Sequence, residues 1–457
     1  MRIIRTLGLG FLVWAVPAAA QTADAPCGAI KTTVLPPCDA PAPQAAPAGS
    51  ALATLDGTPI AAAELGESLR ARREGLGAVI AGARRAALQA EIDDVLMDLE
   101  ASRRGVSLGS LLDTEVTRKT SPPTVAEVAV FYEKWKARGV KKTFEELKPA
   151  LEGMSRDDNR IRREAEFGRS LRERFPLTMG VDAGATGLAK DPVLATVGGR
   201  MITAASAATR LDAAAFGVRR DLYFEEKDAF EKLVRERLLK VEAGKRGLSP
   251  EALEKENVRV EEGHAVKFLA ELPAAPALSL DLSRGTSRGN PNAAVTVVEY
   301  ADFQCPPCSR MWATLEAALA PYGDRVRYVY VNFPLPFHEF AQKAAEASLA
   351  ARAQGKFFEY SSMLFKNQKA LDAASLRKYA ADLGLDAARF AADLDGGGYA
   401  AEVLLDKRSG VRAGVAGTPQ VFVNGVWLPR GAREAAEVGA IVDAALRAAV
   451  PVRAPGR

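Results

Sequence analysis

From Val297 to Trp312 the chain reads Val-Val-Glu-Tyr-Ala-Asp-Phe-Gln-Cys-Pro-Pro-Cys-Ser-Arg-Met-Trp, and this run leaves few ways to fold. The β-branched residues Val295, Val297 and Val298, bounded by a polar turn, suit a fully buried strand. Pro306 and Pro307 then stand where a helix accepts proline, because first-turn N–H groups have no partner within the helix. Met311, Leu315 and Leu319 follow at helical spacing. The stretch predicts a strand running straight into a helix, with Cys305 and Cys308 at the junction. A thiol at a helix N-terminus sits in the positive end of the macrodipole, which favours its thiolate. Cys308, one turn on, lies on the same side and can close a tight disulfide with Cys305. The pair is expected to cycle between dithiol and disulfide, Cys305 attacking and Cys308 resolving. A metal half-site would need two more Cys or His ligands at suitable spacing. An inert structural disulfide seldom closes so short a loop.

The chain start points to export. Arg2 and Arg5 form a basic opening, Leu7 to Val16 an apolar run, and Ala18-Ala19-Ala20 a cleavage site, which together read as a signal peptide over 1–20. The apolar run is too short to cross ~30 Å of hydrocarbon. Nothing later is long and apolar enough to span a membrane, and Asp-Ala-Pro before Cys27 does not resemble a lipoprotein cleavage box. The expected location is therefore a bacterial periplasm. There, four cysteines suggest two disulfides, a structural staple between Cys27 and Cys38 and the pair Cys305–Cys308. A redox relay through Cys27 and Cys38 is the alternative, without a feature to support it. The 61 basic and 57 acidic residues interleave along helical stretches, a pattern of solvated helix faces rather than of a nucleic-acid surface. His264 and His338 read as isolated non-ligands, so neither a metal nor another cofactor is expected.

A chain of 457 residues can bury two or three cores. Residues 21–50 read as a linker, Pro/Ala-rich from residue 36 and extended. An internal repeat follows: Leu52 to Ile60 corresponds to Leu194 to Ile202, an offset of 142 that also carries Leu96, Glu100, Arg104, Gly105 and Ser107 onto Leu238, Glu242, Arg246, Gly247 and Ser249. Each copy opens with a strand and a glycine turn, and later holds an amphipathic helix: Leu88, Ile92, Leu96 and Leu99 in one, Phe230, Val234, Leu238 and Val241 in the other. Gly105 and Gly247 sit where a C-cap glycine ends such a helix. Further linkers are read at 176–192 and 272–291. Arg325 to Val331 reads as a second buried strand, residues 338–410 as Ala-rich helices, and Asn424-Gly425 as a hairpin turn between closing strands.

Glu-Tyr-Ala-Asp-Phe-Gln-Cys-Pro-Pro-Cys, then Asn-Phe-Pro-Leu-Pro-Phe-His at 332–338 and Gly-Thr-Pro at 417–419, resemble the DsbA-like branch of the thioredoxin superfamily over residues 280–450. The resemblance implies an α/β thioredoxin fold with a helical insertion, and thiol:disulfide exchange on the cysteines of exported proteins. It also implies a redox partner that resets the pair. Pro419 after Thr418 matches the family's cis-proline loop, whose backbone pairs with an incoming peptide. Glu299 stands where the family places a buried acid beneath the active site, able to exchange a proton with Cys308. An edge-strand glutamate facing water is the bland alternative. The chain departs from the strongest oxidants at Pro306-Pro307, where they carry a histidine that stabilises the thiolate. Losing one charge-assisted bond of ~1.5–3 kcal/mol makes the couple less oxidising by roughly 30–60 mV.

The order strand, glycine turn, helix, then Pro-Pro-Thr-Val-Ala-Glu-Val-Ala-Val-Phe-Tyr at 122–132, resembles the helical N-terminal module of SurA/PrsA-type periplasmic foldases. A first copy spans 51–178 and a second, shorter one 191–270; no room is left for a parvulin domain, so prolyl isomerase activity is not expected. The expected whole is a periplasmic oxidoreductase whose chaperone-like modules hold clients near the cysteine pair. Two alternatives stand beside it: a holdase-type chaperone that uses the thioredoxin domain for docking, and a reductase or isomerase.

Overall fold

The computed structural model describes residues 51–187, 189, 191–256, 260, 264–271, 273–428 and 434–449. Cys27, Cys38, the signal segment and the first linker lie outside the described residues. The N-terminal part opens with a hairpin, β1 (Ala51–Leu55) and β2 (Thr58–Ala61). Five helices follow: α1 (Glu67–Glu74), α2 (Leu76–Arg104), α3 (Leu108–Leu112), α4 (Val125–Lys136) and α5 (Phe144–Arg172). After β3 (Leu177–Met179) comes a second hairpin, β4 (Val193–Val197) and β5 (Arg200–Thr203). It runs without a break into α6 (Ala204–Arg246), and α7 (Pro250–Lys255) and β6 (Val266–Phe268) complete this part.

The repeat is visible in three dimensions. Both hairpins pair in the same register, Ala53 to Ile60 and Ala195 to Ile202, with the same irregularity one step earlier. Their turns, Asp56–Gly57 and Gly198–Gly199, all take positive φ, as a two-residue hairpin turn requires. Gly105 and Gly247 end α2 and α6 in the left-handed conformation, and Ser107 and Ser249 cap the helices that follow.

The packed units nevertheless differ from the sequence stretches 51–178 and 191–270. The first hairpin shares a core with Phe230, Val234 and Leu238 of α6 and takes β6 as its third strand. The second shares a core with Leu88, Ile92 and Leu96 of α2 and takes β3. Each copy thus lends its hairpin to the other's helix. Because α6 begins at once after β5, its own apolar stretch lies about 39 Å along the axis at 1.5 Å per residue, beyond the reach of that hairpin. The two long helices lie antiparallel, joined by Arg210 of α6 with Glu91 of α2, while Arg73 of α1 pairs with Glu226 further along α6.

The C-terminal part is built on a five-stranded sheet in the order β11-β10-β8-β9-β7. Its elements are β7 (Thr286–Arg288), β8 (Val295–Ala301), α8 (Pro306–Leu319) and β9 (Val326–Asn332). The helical insertion follows as α9 (Ala341–Arg352), α10 (Phe357–Lys366), α11 (Ala373–Asp382), α12 (Ala387–Asp395) and α13 (Ala400–Arg412). β10 (Gln420–Val423), β11 (Val426–Trp427) and α14 (Ala435–Ala449) close it. β8 pairs parallel with β9 and antiparallel with β10, so it is buried on both faces. Alternation sends Val295, Val297 and Ala301 to the core beneath α8 and α14, and Val298 and Tyr300 to the opposite core. This is a thioredoxin-type α/β fold with a helical insertion. Its second face is covered partly by the N-terminal part: Ala213 and Phe216 of α6 pack there, Phe216 5.8 Å from the Trp427 ring.

Candidate active site

β8 ends at Ala301, and a short turn delivers Cys305 to the N-cap of α8, with Pro306 and Pro307 opening the helix. The turn is fixed by its own bonds. Cys305 N–H donates to Asp302 O at 3.1 Å, and Gln368 Nε2 donates to the carbonyls of Phe303 and Cys305 at 2.7 and 2.8 Å. The Phe303 ring stacks on Tyr330 at 5.2 Å and meets Phe365 at 4.9 Å, which seals the base of the turn. The two cysteines are free thiols here; Cys305 is 3 % exposed and Cys308 is fully buried. Thr418 and Pro419, joined by a cis peptide bond, lie against the pair, and the Cys305 thiol donates to the Thr418 carbonyl oxygen at 3.5 Å.

The environment separates the two sulfurs. A hydrogen bond from Cys308 draws the Cys305 thiol down to about 7, against the burial that opposes it, and the Cys308 N–H acts in the same sense. Burial pushes Cys308 well above the ordinary thiol range, and the neighbouring charge on Cys305 adds to it. Near neutral pH one sulfur is thus about half ionised, while the other holds its proton.

Two acids lie in the site. Glu299 is wholly buried, and burial raises it to about 8; the Tyr328 hydroxyl donates to Oε2, and Oε1 has no partner among the described residues. It therefore does not face water. Asp302, also buried, accepts from the N–H groups of Gln304 and Leu335 at 2.7 and 2.8 Å. Its Oδ2 lies 2.8 Å from Nδ1 of His338, so His338 is not the isolated residue that the sequence suggested. Asp302 and His338 are the residues beside the cysteines that sequence reasoning missed. The available signals were an acid three residues before Cys305 and a histidine closing the 332–338 motif. His264 also has a carboxylate partner, with Nδ1 2.7 Å from Asp56 Oδ2.

The N-terminal part reaches this site. Phe337 packs against Val128, Phe131, Leu147, Leu151 and Met154, between α4 and α5. Gly153 of α5 lies so close to Pro336 that a Cβ there would stand 2.0 Å from the proline carbonyl oxygen.

Residues 282–444 match the protein-family model described as Thioredoxin, 163 residues that contain both cysteines, Glu299, Asp302, His338, Thr418 and Pro419. A curated relative, the Na(+)/H(+) antiporter NhaA of Herminiimonas arsenicoxydans, is 39% identical over 178 residues, which are 39% of this chain and 28% of that protein. The chain thus spans less than a third of that relative's length, and among its described residues no helix is long and apolar enough to cross a membrane. Among solved structures, BdbD from Bacillus subtilis (oxidised) is 21% identical with a TM-score of 0.35, covering 38% of this chain and 99% of its own. A thioredoxin-like oxidoreductase from Silicibacter pomeroyi DSS-3 is 28% identical with a TM-score of 0.31, covering 35% and 92%. The C-terminal part is a thioredoxin-superfamily domain.

Proposed function

We propose that the chain is a periplasmic thiol:disulfide oxidoreductase acting on the cysteines of exported proteins. In this reading Cys305 and Cys308 carry the exchange, and the helical part, SurA-like in its motifs, holds client chains beside them. The observation that carries the reading is the split between the sulfurs: Cys305 at a helix entrance is drawn down to about 7, while buried Cys308 is pushed up. Starting from the disulfide, a client thiolate attacks Sγ of Cys305. The S–S bond breaks, its electron pair leaves on Cys308, and a mixed disulfide forms. A second client thiolate then attacks the client sulfur of that bond, and Cys305 departs as a thiolate. The client loses two electrons, the pair gains them, and a redox partner must remove them again. Glu299, protonated at neutral pH and coupled to Cys308, hands its proton to that sulfur as charge develops and takes it back in the reverse direction. The Thr418 carbonyl beside Cys305 offers backbone pairing to the client segment.

Oxidative refolding of a reduced client and reduction of insulin test this reading. Cys305→Ala should abolish both activities, and Cys308→Ala should accumulate mixed disulfides whose partners name the clients. Full activity in Cys305→Ala would refute the proposal.

One observation favours the holdase reading as a second function. Helix α4 leaves Val125 and Val130 81 % and 53 % exposed, and Ala126, Ala129, Val130, Glu133, Lys134 and Ala137 line an open groove of about 530 Å³. Aggregation suppression that survives Cys305→Ala and falls in Val130→Asp would establish it; suppression indifferent to Val130→Asp would remove it.

A further inference from the structure

Asp302 poses an electrostatic problem. A buried carboxylate three residues from the attacking sulfur opposes its ionisation, and Asp302 acts on Cys305 in that sense. The Pro306-Pro307 dipeptide supplies no charge to offset it. His338 is placed to do so. Its Nδ1 is fixed 2.8 Å from Asp302 Oδ2, and the same oxygen accepts the Leu335 N–H. The ring is held from the other side as well. Phe337, edge-on to it at 4.7 Å, is anchored between α4 and α5, and the Phe340 N–H donates to Gln304 Oε1 at 2.7 Å. That last bond ties the histidine loop directly to the turn that carries Cys305.

We propose, on the oxidoreductase reading above, that His338 as an imidazolium is the positioning residue that stabilises the Cys305 thiolate, supplying from the 332–338 loop the cation missing between the cysteines. Burial alone would lower the imidazole, but Asp302 first and Cys305 after it outweigh burial and hold it above its ordinary value. Other charges bear on the dyad too: Lys407 of α13 is coupled to Asp302 and is itself paired with Asp157 of α5, which also binds Arg160. These charges are already paired with one another, which leaves the Asp302 carboxylate to His338.

Reciprocity gives a test on the unaltered protein. If the imidazolium favours the thiolate, the thiolate must favour the imidazolium equally, and a disulfide must not. The chain has only two histidines, so proton NMR resolves both ring titrations, with His264→Gln assigning them and His264 serving as the reference. His338 should titrate at least about half a pH unit higher in the dithiol than in the disulfide form, while His264 stays put. In alkylation kinetics, His338→Gln should raise the Cys305 midpoint by about one pH unit, a tenfold loss of thiolate on the acid side. His338→Lys, which keeps the charge, should hold the midpoint low. An unchanged His338 titration between the two redox forms would overturn the inference and leave the oxidoreductase reading standing. Failure of the two sulfurs to interconvert at all would overturn both.

Discussion

Glu299 shows how much one side chain can set. Strand alternation places it on the same face of β8 as Val297 and Ala301, under the cysteine helix, and burial raises it to about 8. The folded state thus keeps a proton that the unfolded chain releases near 4.5, so its contribution to stability falls as pH rises from 4.5 toward 8. Glu299→Gln should melt higher than the native protein at pH 8, with the gap closing toward pH 4.5; a pH-independent gap would contradict this. The same variant should slow the step that breaks the Cys305–Cys308 bond, and its reversal by Cys308, about 100-fold by removing the proton carrier, measured by stopped-flow fluorescence. The positions of Cys305 and Cys308 were legible because they depend on local pattern, a buried strand followed by proline in a first helical turn, whereas the buried place of Glu299 was implied only by the family resemblance. The Asp302–His338 pair was not: the two residues are 36 positions apart, and only the packing of two loops brings them together.

At the scale of elements, α13 is the part most misjudged by pattern. Its charges read as a solvated face, yet Lys407 reaches Asp157, Arg408 reaches Glu164 and Asp94, and Arg412 reaches Asp94. Arg210 of α6 joins the same carboxylate, so Asp94 of α2 holds three guanidinium groups from two parts of the chain. Burial pushes the Asp94 carboxyl up, but Arg408, Arg210 and Arg412 together hold it below its ordinary value. Removing it leaves three partly buried cations without their shared anion. Asp94→Ala should cost about 3–5 kcal/mol in urea unfolding, whereas Arg162→Ala, on the exposed face of α5, should cost under about 1 kcal/mol. Equal costs would contradict a buried junction. Sequence periodicity gives the helix but cannot say which of its charges meet a partner from another domain.

Across the whole molecule, α6 is the member that ties the parts together. Its first turns enter the core around α2, Ala213 and Phe216 pack on the back of the thioredoxin sheet, and Phe230 to Leu239 form the core of the first hairpin. The duplication was readable from its constant register, but the exchange of hairpins was not, because it follows from an unbroken helix rather than from any residue in the repeat. Phe216→Ala, outside the thioredoxin domain, should destabilise that domain by about 3–5 kcal/mol, seen as lost hydrogen-exchange protection in β10 and β11. Protection lost only in the N-terminal part would contradict this. The central claim, that Cys305 is the activated sulfur and Cys308 its guarded partner, is tested most directly by alkylating the fully reduced protein across pH and mapping the label. A midpoint near 7 with the label on Cys305 alone is the expected result. A midpoint near the ~8.5 of free cysteine, or equal labelling of both sulfurs, would contradict the account.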